Sequence, residues 1–186
     1  MTAPTTTTSP DLVAGRLADV SAVLITGGNA GASDDFASCL ESLFEDVVMI
    51  PGASADEHAG EGALRELVRA LSAAREQRVL VVDPDASRPA PHLWLALTAW
   101  PEHEVVSPRV PQNETPPCAL YQRDSVLAVL QARLRAAESG TIRLAESRQE
   151  ELRGLQEPTG PQGVPPSLDT DFIEGADLDA LHEATT

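Results

Sequence analysis

The chain has 186 residues, 29 of them acidic and 13 basic, for a formal net charge of −16. That length suits one domain with a real core, and the charge argues against a broad surface for nucleic acid or an anionic membrane. All 13 basic side chains are arginine, and lysine is absent.

In chain order, residues 1–19 read as a flexible tail: Thr- and Pro-rich to about Pro10, then a short helix or extended lead-in over Asp11–Asp19. Val20–Ile25 predicts a strand, and Thr26-Gly27-Gly28-Asn29-Ala30-Gly31 a glycine-rich turn. A helix is expected from Ser33, with Ser33 as N-cap and Asp34 and Asp35 in its first turn. Phe36, Leu40, Leu43 and Phe44 form its apolar face. Val47–Ile50 predicts a second strand, closed by Pro51-Gly52, and Ala63–Gln77 a helix with Leu64, Leu67, Val68 and Leu71 inward.

Val79-Leu80-Val81-Val82 is a continuous aliphatic run, the pattern of a strand buried on both faces. It stops at Asp83-Pro84-Asp85. In an open parallel sheet, ligands sit beyond the carboxyl ends of the strands, so Asp83 and Asp85 stand where a metal- or phosphate-handling carboxylate is expected. The competing assignment is that they cap the next helix. If strand geometry persists, residues two apart point the same way and reach one ion.

Pro91–Trp100 predicts a helix with proline near its start. Val105-Val106 and Cys118–Tyr121 predict short strands around a proline-broken loop, Pro108–Pro117. Ser125–Ala137 predicts a helix, with a second one over Thr141–Leu155. Residues 154–170 read as a Pro/Gly-rich linker, and 171–186 as a segment closing the same domain, with a short helix over Asp177–Glu183. Alternating strands and helices predict a three-layer, Rossmann-like α/β domain over residues 20–153 with a mostly parallel sheet.

Cys39 and Cys118 lack metal-type spacing and read as buried free thiols in a reducing compartment. With no membrane-length apolar run and no signal-like N-terminus, the expected location is the cytoplasm. Glu102-His103-Glu104 reads as an exposed loop rather than a metal site. Trp94 and Trp100 are assigned to the core or to a partner contact.

Leu24–Ala32 taken alone resembles the dinucleotide loop of short-chain dehydrogenases. Ser33 replaces its last glycine, however, and a Tyr-x-x-x-Lys pair cannot exist without lysine; Tyr121 is followed by Gln122-Arg123-Asp124-Ser125.

A wider resemblance is collinear from about Ser21 to Leu181. Val23-Leu24-Ile25-Thr26-Gly27-Gly28 resembles the opening strand and Leu-Ala-Gly-Gly of the molybdenum-cofactor guanylyltransferases (MobA-like nucleotidyltransferases). Leu43–Ile50 resembles their first helix end and second strand. Gly62-Ala63-Leu64-Arg65-Glu66-Leu67 sits where they have Gly-Pro-Leu-x-Gly-Leu, and Val81–Leu93 matches their Asp-Met-Pro segment, with Asp85 on the aspartate. Pro116–Arg123 resembles Pro-Leu-x-Ala-Leu-Tyr-x-Arg, and Phe172–Leu178 faintly matches the closing segment.

The resemblance implies a nucleotidyltransferase fold, with Thr26, Gly27, Gly28 and Asn29 lining a nucleotide site and Mg²⁺ at Asp85 and Asp83. The family joins a nucleoside triphosphate to molybdopterin, which requires backbone amides around the phosphates, a cation and a metal-binding carboxylate. Here the loop segment carrying the family's Arg, Gly and Lys is shortened or gone, and Asp34 and Asp35 follow instead. Ala63 and Glu66 replace a proline and a glycine of the base-recognition segment, and Glu174 replaces an asparagine. The resemblance therefore implies a degenerate member that binds GTP or another NTP, molybdopterin, or a partner protein without efficient catalysis. Two alternatives stay open: an active, divergent Mg²⁺-dependent guanylyl- or cytidylyltransferase of molybdopterin dinucleotide cofactor biosynthesis, with Arg16 or Arg65 replacing the lost cation, and a pure interaction module. Arg123 is assigned either to the pocket or to a surface ion pair.

Overall fold

The computed structural model describes residues 16–26, 30–52, 59–83, 90–109, 118–144, 152 and 170–173. The first half of the sheet follows from two apolar runs. Strand β1 (Leu17–Thr26) is central, with β2 (Phe44–Pro51) on one side and β3 (Arg78–Val82) on the other, parallel to both. Helix α1 (Ala30–Leu43) crosses between β1 and β2, and α2 (Ala59–Ala73) between β2 and β3.

The second half contains α3 (Pro91–Leu97), β4 (Val105–Pro108), β5 (Cys118–Gln122), α4 (Arg123–Glu138) and β6 (Thr170–Ile173). The sheet order is β2-β1-β3-β5-β4-β6. β5 runs against both its neighbours, whereas β6 lies parallel to β4. The reversal has a simple cause: only residues 109–117 link β4 to β5, and a parallel return needs a dozen or more residues. The expected α/β class with a mostly parallel sheet holds.

Alternation along the central strands divides the core between two faces. Val23, Ile25, Val79 and Val81 pack with Leu64, Leu67 and Leu71 of α2 and with Val126 and Leu130 of α4. Val20, Ala22, Leu24, Leu80 and Val82 pack with Phe36 and Leu40 of α1 and with Trp94 and Leu97 of α3. The Phe36 and Trp94 rings meet at 6.0 Å. Each of the larger of these side chains is worth about 1.5–3 kcal/mol when fully buried.

Several boundaries differ from expectation. Helix α1 starts at Ala30, three residues early, so Ser33 lies inside the helix rather than at its N-cap, and no acid stands in the first turn. Phe44 leaves the helix and opens β2, where it is fully buried. Strand β1 begins at Leu17, within the segment expected to be tail. Helix α2 ends at Ala73 and α3 at Leu97, each before the expected end.

Helix α4 ends at Glu138, just before Gly140, whose φ of 71° is left-handed; of the second helix expected over Thr141–Leu155, residues 141–144 are not helical, Leu152 is, and the rest lie outside the described residues. The Gly140 amide donates to the Ala137 carbonyl (2.9 Å) and that of Thr141 to Ala136 (2.9 Å), a glycine-capped helix end. Strand β6 is not expected from the sequence; its four residues carry too short a pattern. The N-terminal tail before residue 16, most of the segment after Leu144 and the helix expected over Asp177–Glu183 lie outside the described residues.

Candidate functional site

Parallel strands whose crossovers lie on opposite faces leave a crevice at their carboxyl ends. Here α1 covers one face and α2 the other, and the boundary falls between β1 and β3. Both helices begin at this edge, so their amino-terminal N–H groups face it.

Thr26 is the last residue of β1. Its hydroxyl donates to the Ile50 carbonyl (3.1 Å), and its own carbonyl accepts from the Gly52 amide (3.1 Å). These two bonds join the ends of β1 and β2. Asp83 directly follows β3, is half-buried, and lies across the β1–β3 boundary from Thr26, because Leu24 is paired with Val82. The strand ends at Val82, so the strand geometry expected to align Asp83 with Asp85 stops before either. Gly27, Gly28, Asn29 and Asp85 lie outside the described residues.

As a fit test for Mg²⁺, this edge offers the half-buried carboxylate of Asp83. Among the described residues no group of three His, Cys, Asp or Glu side chains could hold a metal. Mg²⁺ is commonly held by one or two carboxylates, with phosphates and water completing its shell. The donor set fits an ion brought with a triphosphate, not a closed protein cage. Glu102-His103-Glu104 likewise forms no metal cluster.

Glu66 is a functional candidate that the sequence pattern understated. It lies on α2 among inward-facing residues and is 3% exposed. A Cβ built on Gly52 would lie 3.2 Å from Glu66 Oε1, 3.4 Å from the Thr26 carbonyl oxygen and 3.7 Å from Ile25 Cγ2. The bare backbone of Gly52 is what allows the carboxyl group to reach the ends of β1 and β2. The available signal was its spacing, three residues after Ala63 and four before Ala70, both buried.

The arginines expected to replace a lost phosphate-binding cation are placed elsewhere. Arg65 is engaged by Glu61 at 2.6 Å and Glu138 at 3.2 Å, and the hydrogen bond to Glu61 is the main cause raising its pKa. Arg16 is exposed before the amino end of β1, at the opposite pole. Arg123 also belongs to that pole: Arg78 is paired with Gln122, and the Arg123 guanidinium donates to the carbonyls of Ala74 (3.1 Å) and Arg75 (2.7 Å). It caps the end of α2 and pairs with Asp124 at 3.0 Å, so of its two expected assignments the ion pair holds and the pocket does not.

Other residues singled out in the sequence are structural. Cys118 is buried, whereas Cys39 is only half-buried. Burial pushes the Cys118 thiol up to about 12. Trp94 is core, and Trp100 stays 43% exposed, its ring 6.0 Å from that of His103 and inclined to it at 70°.

No family model and no curated protein matches the chain. Solved structures do. A protein of Aquifex aeolicus VF5 (Aq1419) superposes with a TM-score of 0.54 at 11% identity, covering 88% of this chain and 91% of that one. The bifunctional IspDF from Campylobacter jejuni gives 0.50 at 13% identity, covering 85% of this chain and 50% of that one, so the chain spans half the length of that protein. The 2-C-methyl-D-erythritol 4-phosphate cytidylyltransferase from Thermus thermophilus gives 0.45 at 15% identity, covering 90% and 98%. The chain thus shares a Rossmann-like α/β fold with these proteins. At such identities the likeness concerns the fold alone. No described helix is long and apolar enough to cross a membrane.

Proposed function

We propose that the chain is a nucleotide-binding relative of the molybdenum-cofactor guanylyltransferases that has lost efficient catalysis. The observation that carries this reading is the carboxyl edge of the sheet. There β1 ends at Thr26, α1 begins at Ala30, and Asp83 follows β3 across the boundary. Thr26, Gly27, Gly28 and Asn29 would hold the phosphates, with α1 contributing N–H groups and a favourable dipole. Asp83 and Asp85 would hold Mg²⁺, which neutralises phosphate charge when bound.

The impairment is a matter of charge. A clamp cation is worth orders of magnitude in rate during phosphoryl transfer. The chain has no lysine, and Arg65 is drawn away by two acids. Asp34 and Asp35, both exposed on α1, add repulsion near the phosphate end. The residues present serve binding better than turnover. The molybdopterin acceptor and any partner protein follow from the resemblance between Ser21 and Leu181.

Thermal unfolding with GTP, CTP and ATP, each with and without Mg²⁺, tests the reading. A nucleotide at a hundred times its dissociation constant adds about 2.7 kcal/mol, so a Mg²⁺-dependent rise in midpoint is expected for at least one. No rise with any nucleotide would leave a fold retained for a protein partner. Turnover with a molybdopterin acceptor at about 1 s⁻¹ or faster would overturn the impairment and restore the active, divergent enzyme.

A further inference from the structure

The sheet ends at β2, and among the described residues no strand lies on its outer side. The unpaired N–H and C=O groups of such an edge recruit other strands, and proteins ordinarily blunt it with lysine, proline, a bulge or a very short strand. Lysine is absent from this chain, β2 is 8 residues long, and its register with β1 runs unbroken from Ser21–Asp46 to Thr26–Pro51. Its centre, Val47-Val48-Met49-Ile50, carries no charge and suits a strand. Met49 is 59% exposed, the most open large apolar side chain among the described residues.

The backbone settles which groups this edge offers. The Ile50 carbonyl accepts from the Thr26 hydroxyl, and the Gly52 amide donates to the Thr26 carbonyl, so both positions face β1. Backbone groups alternate in direction along a strand, so those of Val47 and Met49 face outward. A two-fold axis perpendicular to the sheet brings Val47 of each copy opposite Met49 of the other, with the two Val48 residues meeting at the axis. Each Val47–Met49 pair then exchanges N–H···O bonds in both directions. Val47 packs on the α1 face of the sheet and Val48 on the α2 face. The exposed Met49 side chain shares the α1 face and meets Val47 of the second copy there.

Charge favours a second copy in this antiparallel arrangement. Glu45 falls opposite Pro51, and the two Glu45 carboxylates stand roughly 20 Å apart along the edge, at about 3.4 Å per residue. In-register parallel pairing would instead set Glu45 against Glu45, which is destabilising. A basic strand from another protein would find no counter-charge along Val47–Ile50.

We propose that the outer edge of β2 is a self-association surface, joining two copies of the chain into one continuous antiparallel junction centred on Val48. A single strand edge is small beside the roughly 1,200–2,000 Å² of a stable interface, and each copy carries a charge of −16. The dimer therefore forms at high micromolar rather than nanomolar concentration. It should tighten several-fold from tenth-molar to molar KCl, as the screening length shortens from about 10 Å to about 3 Å.

Sedimentation of the full chain across concentration and salt is the first test, repeated on Met49→Pro. That substitution deletes an outward amide and spares the β1–β2 ladder, so it should abolish the dimer and leave the fold. The register is tested by oxidative cross-linking in a Cys39→Ala background. Val48→Cys should form an intermolecular disulfide readily, because facing Cα atoms of a non-hydrogen-bonded pair lie about 4.5 Å apart. Glu45→Cys should not. A monomer at every concentration and salt would overturn the proposal, as would a dimer indifferent to Met49→Pro or equal cross-linking by the two cysteines. Should Met49→Pro fail to fold, the cross-linking contrast still decides.

Discussion

Cys118 shows how one side chain is governed by its surroundings. It opens β5 opposite Val82 and packs among Leu80, Leu120 and Trp94. Desolvation favours the neutral thiol, and the hydrogen bond to Trp94 only partly opposes this. Because the folded-state pKa is raised, from 9.0 to about 12, the contribution to stability is complete below about 9 and is lost as pH climbs toward about 12. In a Cys39→Ala background, the native thiol should resist alkylation at pH 8 and react at once in denaturant. Denaturation midpoints should fall more steeply above pH 9 than those of the double Cys39→Ala, Cys118→Ala variant. Rapid native labelling would show that the site is not sealed.

At the scale of elements, polar clamps at the amino edge hold the crossovers in place. The Ser21 hydroxyl donates to Asp46 at 2.5 Å and accepts from the amides of Arg75 (3.1 Å) and Glu76 (2.9 Å). These contacts tie the turn after α2 to the β1–β2 pair. Arg78 pairs with Asp19 at 2.9 Å and donates to the Thr98 carbonyl, which fastens the end of α3. Arg123 closes the end of α2 from the start of α4. Arg123→Ala should therefore cost about 1–3 kcal/mol in urea unfolding and leave nucleotide affinity unchanged, because it acts at the pole opposite Thr26 and Asp83. A loss of affinity without a loss of stability would return Arg123 to the pocket.

Across the whole molecule, a net charge of −16 on 186 residues opposes compaction, because like charges repel over a surface of low dielectric. Salt shortens that repulsion: the screening length falls from about 10 Å at 0.1 M to about 3 Å at 1 M. Unfolding midpoints should accordingly rise between low and molar KCl, beyond the rise seen for a near-neutral domain of similar size. A flat or falling profile would mean that local pairs, such as those of Arg65, Arg78 and Arg123, already offset the excess charge. On the proposed nucleotide-binding reading, the same surface would make binding an anionic triphosphate depend on Mg²⁺ and on α1's amides more than on side-chain cations.

The sequence by itself determined the α/β class, the central strands and the two aliphatic faces, because burial on both sides of a sheet writes a continuous apolar run at Val79–Val82. It also placed Thr26 and Asp83 at strand ends, since both follow directly on such runs. Only the tertiary structure decided the direction of β5, the existence of β6, and the fates of Glu66, Arg65 and Arg123. Strand direction depends on how long a connection must be to return, and a four-residue edge strand carries almost no periodic signal. The charged residues were undecided for a related reason. Periodicity marks which face of a helix is inward but not what a long side chain reaches: Glu66 finds the bare backbone of Gly52, Arg65 two acids, and Arg123 the carbonyls that end α2.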